Sequence, residues 1–128
     1  MRGRHAAPPA TVLVVDDEPS IRFLCRVNLE HEGHTVVEAG SLAEARRILG
    51  DEVIDVVLLD LHLGGEHGAE LIEECHTHEP PVPVVLVTAS LELGTEGLED
   101  ADAILPKPFE LADLATTVRD VSRVHAEQ

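Results

Sequence analysis

The amino-acid sequence predicts an α/β domain: a doubly wound sheet of five parallel strands with helices on both faces. Two observations carry that expectation. Apolar, β-branched runs alternate with amphipathic runs from residue 11 onward. The apolar runs are nearly continuous rather than alternating with polar residues, as strands covered on both faces require.

The first strand is "TVLVVD" (11–16), and the helix after it is "PSIRFLCRVNLEHEG" (19–33). Pro19 suits a first helical turn and Gly33 a helix end, while Ile21, Leu24, Cys25 and Leu29 make one apolar face. "HTVVEA" (34–39) is a second, more polar strand, and Ser41 and Glu44 stand at capping-box spacing at the head of a helix over 41–50. "DVVLLD" (55–60) is the third strand, followed by a helix over 68–77 whose Leu71, Ile72 and Cys75 share a face. "VVLVT" (84–88) follows the Pro-rich "EPPVP"; proline cannot donate to a ladder, so the strand begins only after Pro83. Two glycines break a weak helical pattern in 89–102, which predicts a short or irregular fourth helix. "AILP" (103–106) is the fifth strand, with Pro106 suited to a sheet edge. The last helix spans 110–125, with Leu111, Leu114, Val118 and Val121 on one stripe.

A length of 128 residues fits one domain: a disordered leader over 1–10, the domain over 11–125 and a tail over 126–128. The formal charge of −16 at pH 7 opposes a surface that grips phosphate backbones, so direct nucleic-acid binding is not expected. No apolar run approaches the roughly 20 residues of a spanning helix. "MRGRHAAPPA" lacks the apolar block of a signal peptide, and the expected location is the cytoplasm, without membrane insertion. Cys25 and Cys75 fall in separate helices and suggest no disulfide framework.

In open parallel sheets, ligands bind outside the carboxyl ends of the strands. Those ends carry Asp16 and Asp17 after the first strand, Asp60 after the third, Thr88 after the fourth and Lys107 after the fifth. Crowded carboxylates oppose their shared ionisation unless a cation joins them. All-oxygen ligation without cysteine suits Mg²⁺, with adjacent Asp16 and Asp17 as its holders. Asp60 is then a carboxylate nucleophile toward a phosphoryl donor. Lys107 would neutralise charge on the transferring group, and Thr88 would hydrogen-bond a phosphoryl oxygen. A phosphoryl group in place of a carboxylate charge would draw Thr88 and Lys107 toward it, which describes a conformational switch.

Four ordered motifs, "VVDDEP" (14–19), "VVLLDLHLGGEHG" (56–68), "VVLVTA" (84–89) and "LPKPF" (105–109), resemble the receiver domain of two-component response regulators, the CheY-like superfamily, over about residues 11–125. The resemblance implies a flavodoxin-like strand order 2-1-3-4-5. It implies Mg²⁺ held by Asp16 and Asp17, with Asp60 and the backbone carbonyl of His62 as further ligands. It implies a phosphoryl group accepted on Asp60 from a histidine kinase or phosphotransfer protein, a switch hydroxyl on Thr88, the family's lysine at Lys107, and a cis Lys107–Pro108 bond. The expected role is signalling in a phosphorelay, not metabolic turnover, although the site assists its own phosphoryl transfer and autodephosphorylation. Three positions depart from the family pattern: Gly64 stands where proline is frequent, Ile104 where an aromatic residue is usual, and the segment between Thr88 and Lys107 is about one helical turn short.

Two other classes compete. A pseudo-receiver, an interaction module not switched by phosphate, is favoured by Ile104 and the short fourth segment and opposed by the complete acidic set. A Mg²⁺-dependent phosphatase with an aspartate nucleophile usually has a second acid two residues on, where this chain has His62. "GGEHG" (64–68) lacks the Lys-Ser/Thr of a P-loop and reads as a flexible loop. "VVDDEPS" occupies the place of a dinucleotide-binding glycine fingerprint. His62, His67, His76 and His78 match no zinc spacing and read as solvated loop residues. The His62 side chain, with Ser90, is placed to tune the access of water to an acyl phosphate.

Overall fold

The computed structural model describes residues 9–63, 65–89 and 100–122. Residues 1–8, Gly64, Ser90 and the rest of 90–99, which is most of the 89–102 stretch expected to hold a short or irregular fourth helix, and residues 123–128 lie outside the described residues.

Strand β1 (Thr11–Val15) leads into helix α1 (Pro19–His31), with Pro19 in its first turn. Gly33 supplies the chain reversal after α1 at φ +98°, a conformation that costs glycine little. β2 (Thr35–Ala39) precedes α2 (Leu42–Asp51), where the Ser41 side chain accepts the Glu44 N–H at 3.1 Å. The Glu44 carboxylate reaches back to the Gly40 N–H at 2.7 Å, one residue before the usual capping-box partner. β3 (Val56–Asp60) is followed by two short strands, β4 (His62–Leu63) and β5 (Glu66–His67), and then by α3 (Ala69–Thr77). β6 (Val84–Thr88), β7 (Ala103–Pro106) and α4 (Leu111–Val121) complete the described elements.

The main sheet is parallel throughout, in the order β2-β1-β3-β6-β7. Counting its own five strands in chain order, this is 2-1-3-4-5, with Pro106 on an edge strand. Successive residues of a strand face opposite sides, and the core divides accordingly. Val12, Val14, Val56, Leu58, Val85 and Val87 pack with Cys25 and Leu29 of α1 and Leu114 and Val118 of α4. Leu13, Val15, Val57, Leu59, Val84 and Leu86 pack with α2 and with Leu71, Ile72 and Cys75 of α3. The two thiols therefore lie on opposite sheet faces, both free. The Lys107–Pro108 peptide is cis.

Four local expectations are corrected. The stretch read only as a flexible loop contains a short antiparallel ladder, His62 pairing with His67 and Leu63 with Glu66, and Gly65 sits at φ +97°. A two-residue ladder is too short to show any alternation in sequence. Ala10, assigned to the leader, is buried, and its carbonyl accepts the Thr35 N–H at 2.9 Å, so packing starts one residue earlier. Leu24 and Leu111 were expected on buried stripes but are 41% and 40% exposed, because each helix meets the sheet along a narrower band than its apolar stripe. His78 is not a free loop ring: its two nitrogens lie 3.1 Å from the Pro80 carbonyl and 3.2 Å from the Leu49 carbonyl.

His34 is buried, and its Nδ1 accepts the Ala10 N–H at 3.1 Å. Burial disfavours the imidazolium and holds its pKa below the ordinary 6.5. A depressed folded-state value means that His34 contributes stability above the unfolded pKa, lost as pH falls through the folded one. Thermal melts between about pH 7.5 and pH 5 should show a loss in the wild type that His34→Asn reduces, since Asn retains an acceptor without titrating. Parallel pH profiles for the two proteins would contradict this account.

Candidate functional site

The alternation that builds the core also builds the site. Val12 and Val14 of β1 and Val56 and Leu58 of β3 face α1 and α4, and Val14 is in register with Leu58. Two residues further along each strand on the same side come Asp16 and Asp60. Ala103 and Leu105 of β7 share that side, and Lys107 is the next residue of their series.

Carboxylate oxygens of Asp16, Asp17 and Asp60 all lie within 4.8 Å of one another. Asp16 and Asp60 are buried and Asp17 is exposed. The Lys107 ammonium enters from β7, with Nζ 3.5 Å from Asp16 Oδ2 and 3.8 Å from Asp60 Oδ2. The remaining oxygen of each buried acid is held by backbone: Asp16 Oδ1 accepts the Glu18 N–H at 2.9 Å, and Asp60 Oδ1 accepts the His62 N–H at 3.2 Å. Three carboxylates thus crowd together with Lys107 paired to two of them, and the cluster carries an excess of negative charge. Burial, and then the neighbouring Asp16, push the Asp60 carboxyl above its ordinary 3.8, while Lys107 and the His62 amide pull it down.

Two glycines make room for this rim. A Cβ at Gly68 would lie 3.0 Å from the Asp60 carbonyl and 3.3 Å from the Leu59 side chain, so any larger residue would press the start of α3 away from β3. A Cβ at Gly40 would lie 3.3 Å from the Arg22 guanidinium.

The sequence model of the response regulator receiver domain matches residues 12–119. The chain belongs to this family. Such receivers are signalling domains rather than classical enzymes. This one is 36% identical over 121 residues to Protein PetR of Rhodobacter capsulatus, covering 92% of this chain and 51% of PetR. It spans about half of the length of the curated relatives it matches, or less. A CheY-like receiver domain protein from Methanospirillum hungatei superposes with a TM-score of 0.81 at 28% identity, over 88% of this chain and 93% of that one. A response regulator protein from Burkholderia pseudomallei, solved with a phosphorylated aspartic acid, calcium ion and citrate, superposes with a TM-score of 0.77 at 26% identity, over 92% and 69% of the two chains.

Of the residues singled out in the receiver's sequence, Asp16, Asp17, Asp60 and Lys107 come together directly. Thr88 is buried at the end of β6 and joins through its main chain, its carbonyl accepting the Lys107 N–H at 2.9 Å. By strand alternation its side chain follows Val84 and Leu86, the series facing α2 and α3. His62 touches Asp60 through its amide, and its own residue surface is exposed. Asp16 and Asp60 also line a small cavity with Cys25 and apolar residues of β1, α1, β3 and β6. Burial pushes the Cys25 thiol up to about 11, so it stays protonated and neutral there. Arg22 was not singled out in sequence, yet its Nη1 donates to the Asp16 carbonyl at 2.6 Å. Nothing in the chain order signals that contact, because an arginine in a first helical turn is ordinarily solvated.

A raised Asp60 pKa means that the ionised carboxylate costs the folded state stability, a cost that is absent below about pH 3.8, where the group is protonated in both states. In metal-free buffer near neutrality, Asp60→Asn should therefore melt a few degrees above the wild type. The gain should shrink as the pH is lowered toward 4. A variant that melts lower than the wild type at neutral pH would show that Lys107 outweighs burial and Asp16.

Proposed function

We propose that this receiver accepts a phosphoryl group on Asp60 from the phosphohistidine of a histidine kinase or phosphotransfer protein, in a Mg²⁺-dependent phosphorelay. The observation that carries the reading is the cluster of the Asp16, Asp17 and Asp60 carboxylates at the carboxyl rim of the sheet, two of them paired with the Lys107 ammonium. Such a cluster fits a hard divalent cation: it offers oxygen donors alone, and Asp60 is destabilised as an anion until positive charge is added. Asp16, Asp17, Asp60 and the His62 carbonyl would hold Mg²⁺, which when bound supplies charge neutralisation for phosphoryl oxygens. The phosphorylated aspartate and calcium ion of the Burkholderia pseudomallei relative support the same chemistry here.

The chain's own residues carry the transfer. A carboxylate oxygen of Asp60 attacks phosphorus, the P–N bond to the partner's imidazole breaks, and the departing nitrogen keeps the electron pair. The Lys107 ammonium, 3.8 Å from Asp60 Oδ2, offsets charge on the transferring group, and the Thr88 hydroxyl donates to a phosphoryl oxygen once the end of β6 adjusts. Because the Lys107 amide is bonded to the Thr88 carbonyl, movement at either strand end reaches the other. In autodephosphorylation a water oxygen attacks phosphorus, the P–O bond to Asp60 breaks with its electron pair left on the carboxylate, and inorganic phosphate and a proton are released.

A second reading, a module that binds partners without being switched by phosphate, draws on Ile104. It is paired with Leu86, is 38% exposed, and stands where an aromatic side chain is usual in the family.

Incubation with Mg²⁺ and a small acyl-phosphate donor should give a hydroxylamine-labile phosphoryl group on the wild type and none on Asp60→Ala. Lys107→Ala should slow labelling by about 10²-fold, the order seen when one preorganised stabilising group is removed. Absence of label on the wild type with both the small donor and a cognate kinase would leave the second reading. Equal label on Asp60→Ala would place the acceptor elsewhere.

A further inference from the structure

Asp16 lies one residue past the end of β1. Its amide still donates to the Ala39 carbonyl at 3.1 Å, and its carbonyl accepts from Arg22 Nη1 at 2.6 Å. The Asp16–Asp17 peptide plane is thereby tied at its oxygen, and that plane decides where the exposed Asp17 carboxylate projects. Arg22 is itself held: its Nε donates to Glu38 Oε1 on β2 at 3.0 Å, and the other Glu38 oxygen accepts Arg26 Nε at 2.6 Å. The guanidinium passes over Gly40, where a Cβ would stand 3.3 Å from Nη1. Since the Arg22 charge is paired with Glu38, what it brings to the acidic cluster is direction rather than charge. A planar fork bonds two acceptors at a fixed angle, which a lysine ammonium on its flexible stem does not reproduce.

We propose that Arg22 is a positioning residue of the acidic cluster, orienting the Asp16–Asp17 peptide so that both carboxylates face the position of a divalent cation beside Asp60. The inference rests on the metal-binding reading given above. Arg26 provides an internal control, because it pairs with the same Glu38 but makes its remaining bond to Glu30, at 2.8 Å, and not to Asp16.

Calorimetric titration of Mn²⁺ into the full chain tests the proposal. Arg22→Met and Arg22→Lys should each weaken Mn²⁺ binding by about tenfold, the range seen when groups that orient metal ligands are removed. Arg26→Met should bind as the wild type does. Gly40→Ala, which crowds the guanidinium while retaining it, should weaken binding to a smaller degree and reads the same contact if Arg22→Met does not fold. Wild-type affinity in a folded Arg22→Met or Arg22→Lys protein, or in Gly40→Ala where Arg22→Met does not fold, overturns the proposal. So does an equal loss in Arg26→Met. A wild type that binds no Mn²⁺ overturns the metal-binding reading first, and this inference with it.

Discussion

Two buried carboxylates, Asp16 and Asp60, stand side by side because they end adjacent parallel strands on the same face of the sheet. Their mutual repulsion is the constraint around which the rest of the rim is built. Burial disfavours ionisation of Asp60, and Asp16 disfavours it further. Against this the fold sets one ammonium from β7 and one backbone amide for each acid. These leave the pocket net negative, an electrostatic setting that favours added positive charge. The apolar strand behind Asp60, every residue of it buried, makes the arrangement rigid.

The opposite rim shows that an aspartate at a strand end need not have this property. Asp55 precedes β3 and accepts the Thr11 N–H at 2.8 Å, while Asp102 precedes β7 and accepts the Val84 N–H at 2.8 Å as well as meeting His76 Nε2 at 2.7 Å. There the carboxylates are taken up by first strand amides and a histidine, and they act as structural acceptors. At the carboxyl rim the strands present carbonyls, which cannot satisfy a carboxylate. The direction common to all five strands therefore separates acids that hold the sheet together from acids left facing one another.

Much of this could be read along the chain. The near-continuous runs "TVLVV", "VVLLD" and "VVLVT" became the central strands β1, β3 and β6 with bounds within a residue, because burial on both faces leaves few sequences that would serve. The positions of Asp16, Asp17, Asp60 and Lys107 at strand ends were legible for the same reason. Arg22, His34 and the β4–β5 pairing were not. Each depends on a contact with a residue whose approach is set by tertiary packing: the Asp16 carbonyl, the Ala10 amide and a two-residue ladder. Leu24 illustrates the converse, a residue with the right period for burial that lies beyond the reach of the sheet.

By itself the sequence determined the class of fold and which strand ends would carry the acids and the lysine, because the hydrophobic period is a local property that survives any detail of packing. Only the tertiary structure decided how the acids are held. Distances of 3.5 and 3.8 Å from Lys107, the amides on Asp16 and Asp60, the space above Gly68 and the hold of Arg22 on the Asp16 carbonyl come from segments far apart in the chain. Their electrostatic effect depends on separation and burial, neither of which a linear order of residues specifies.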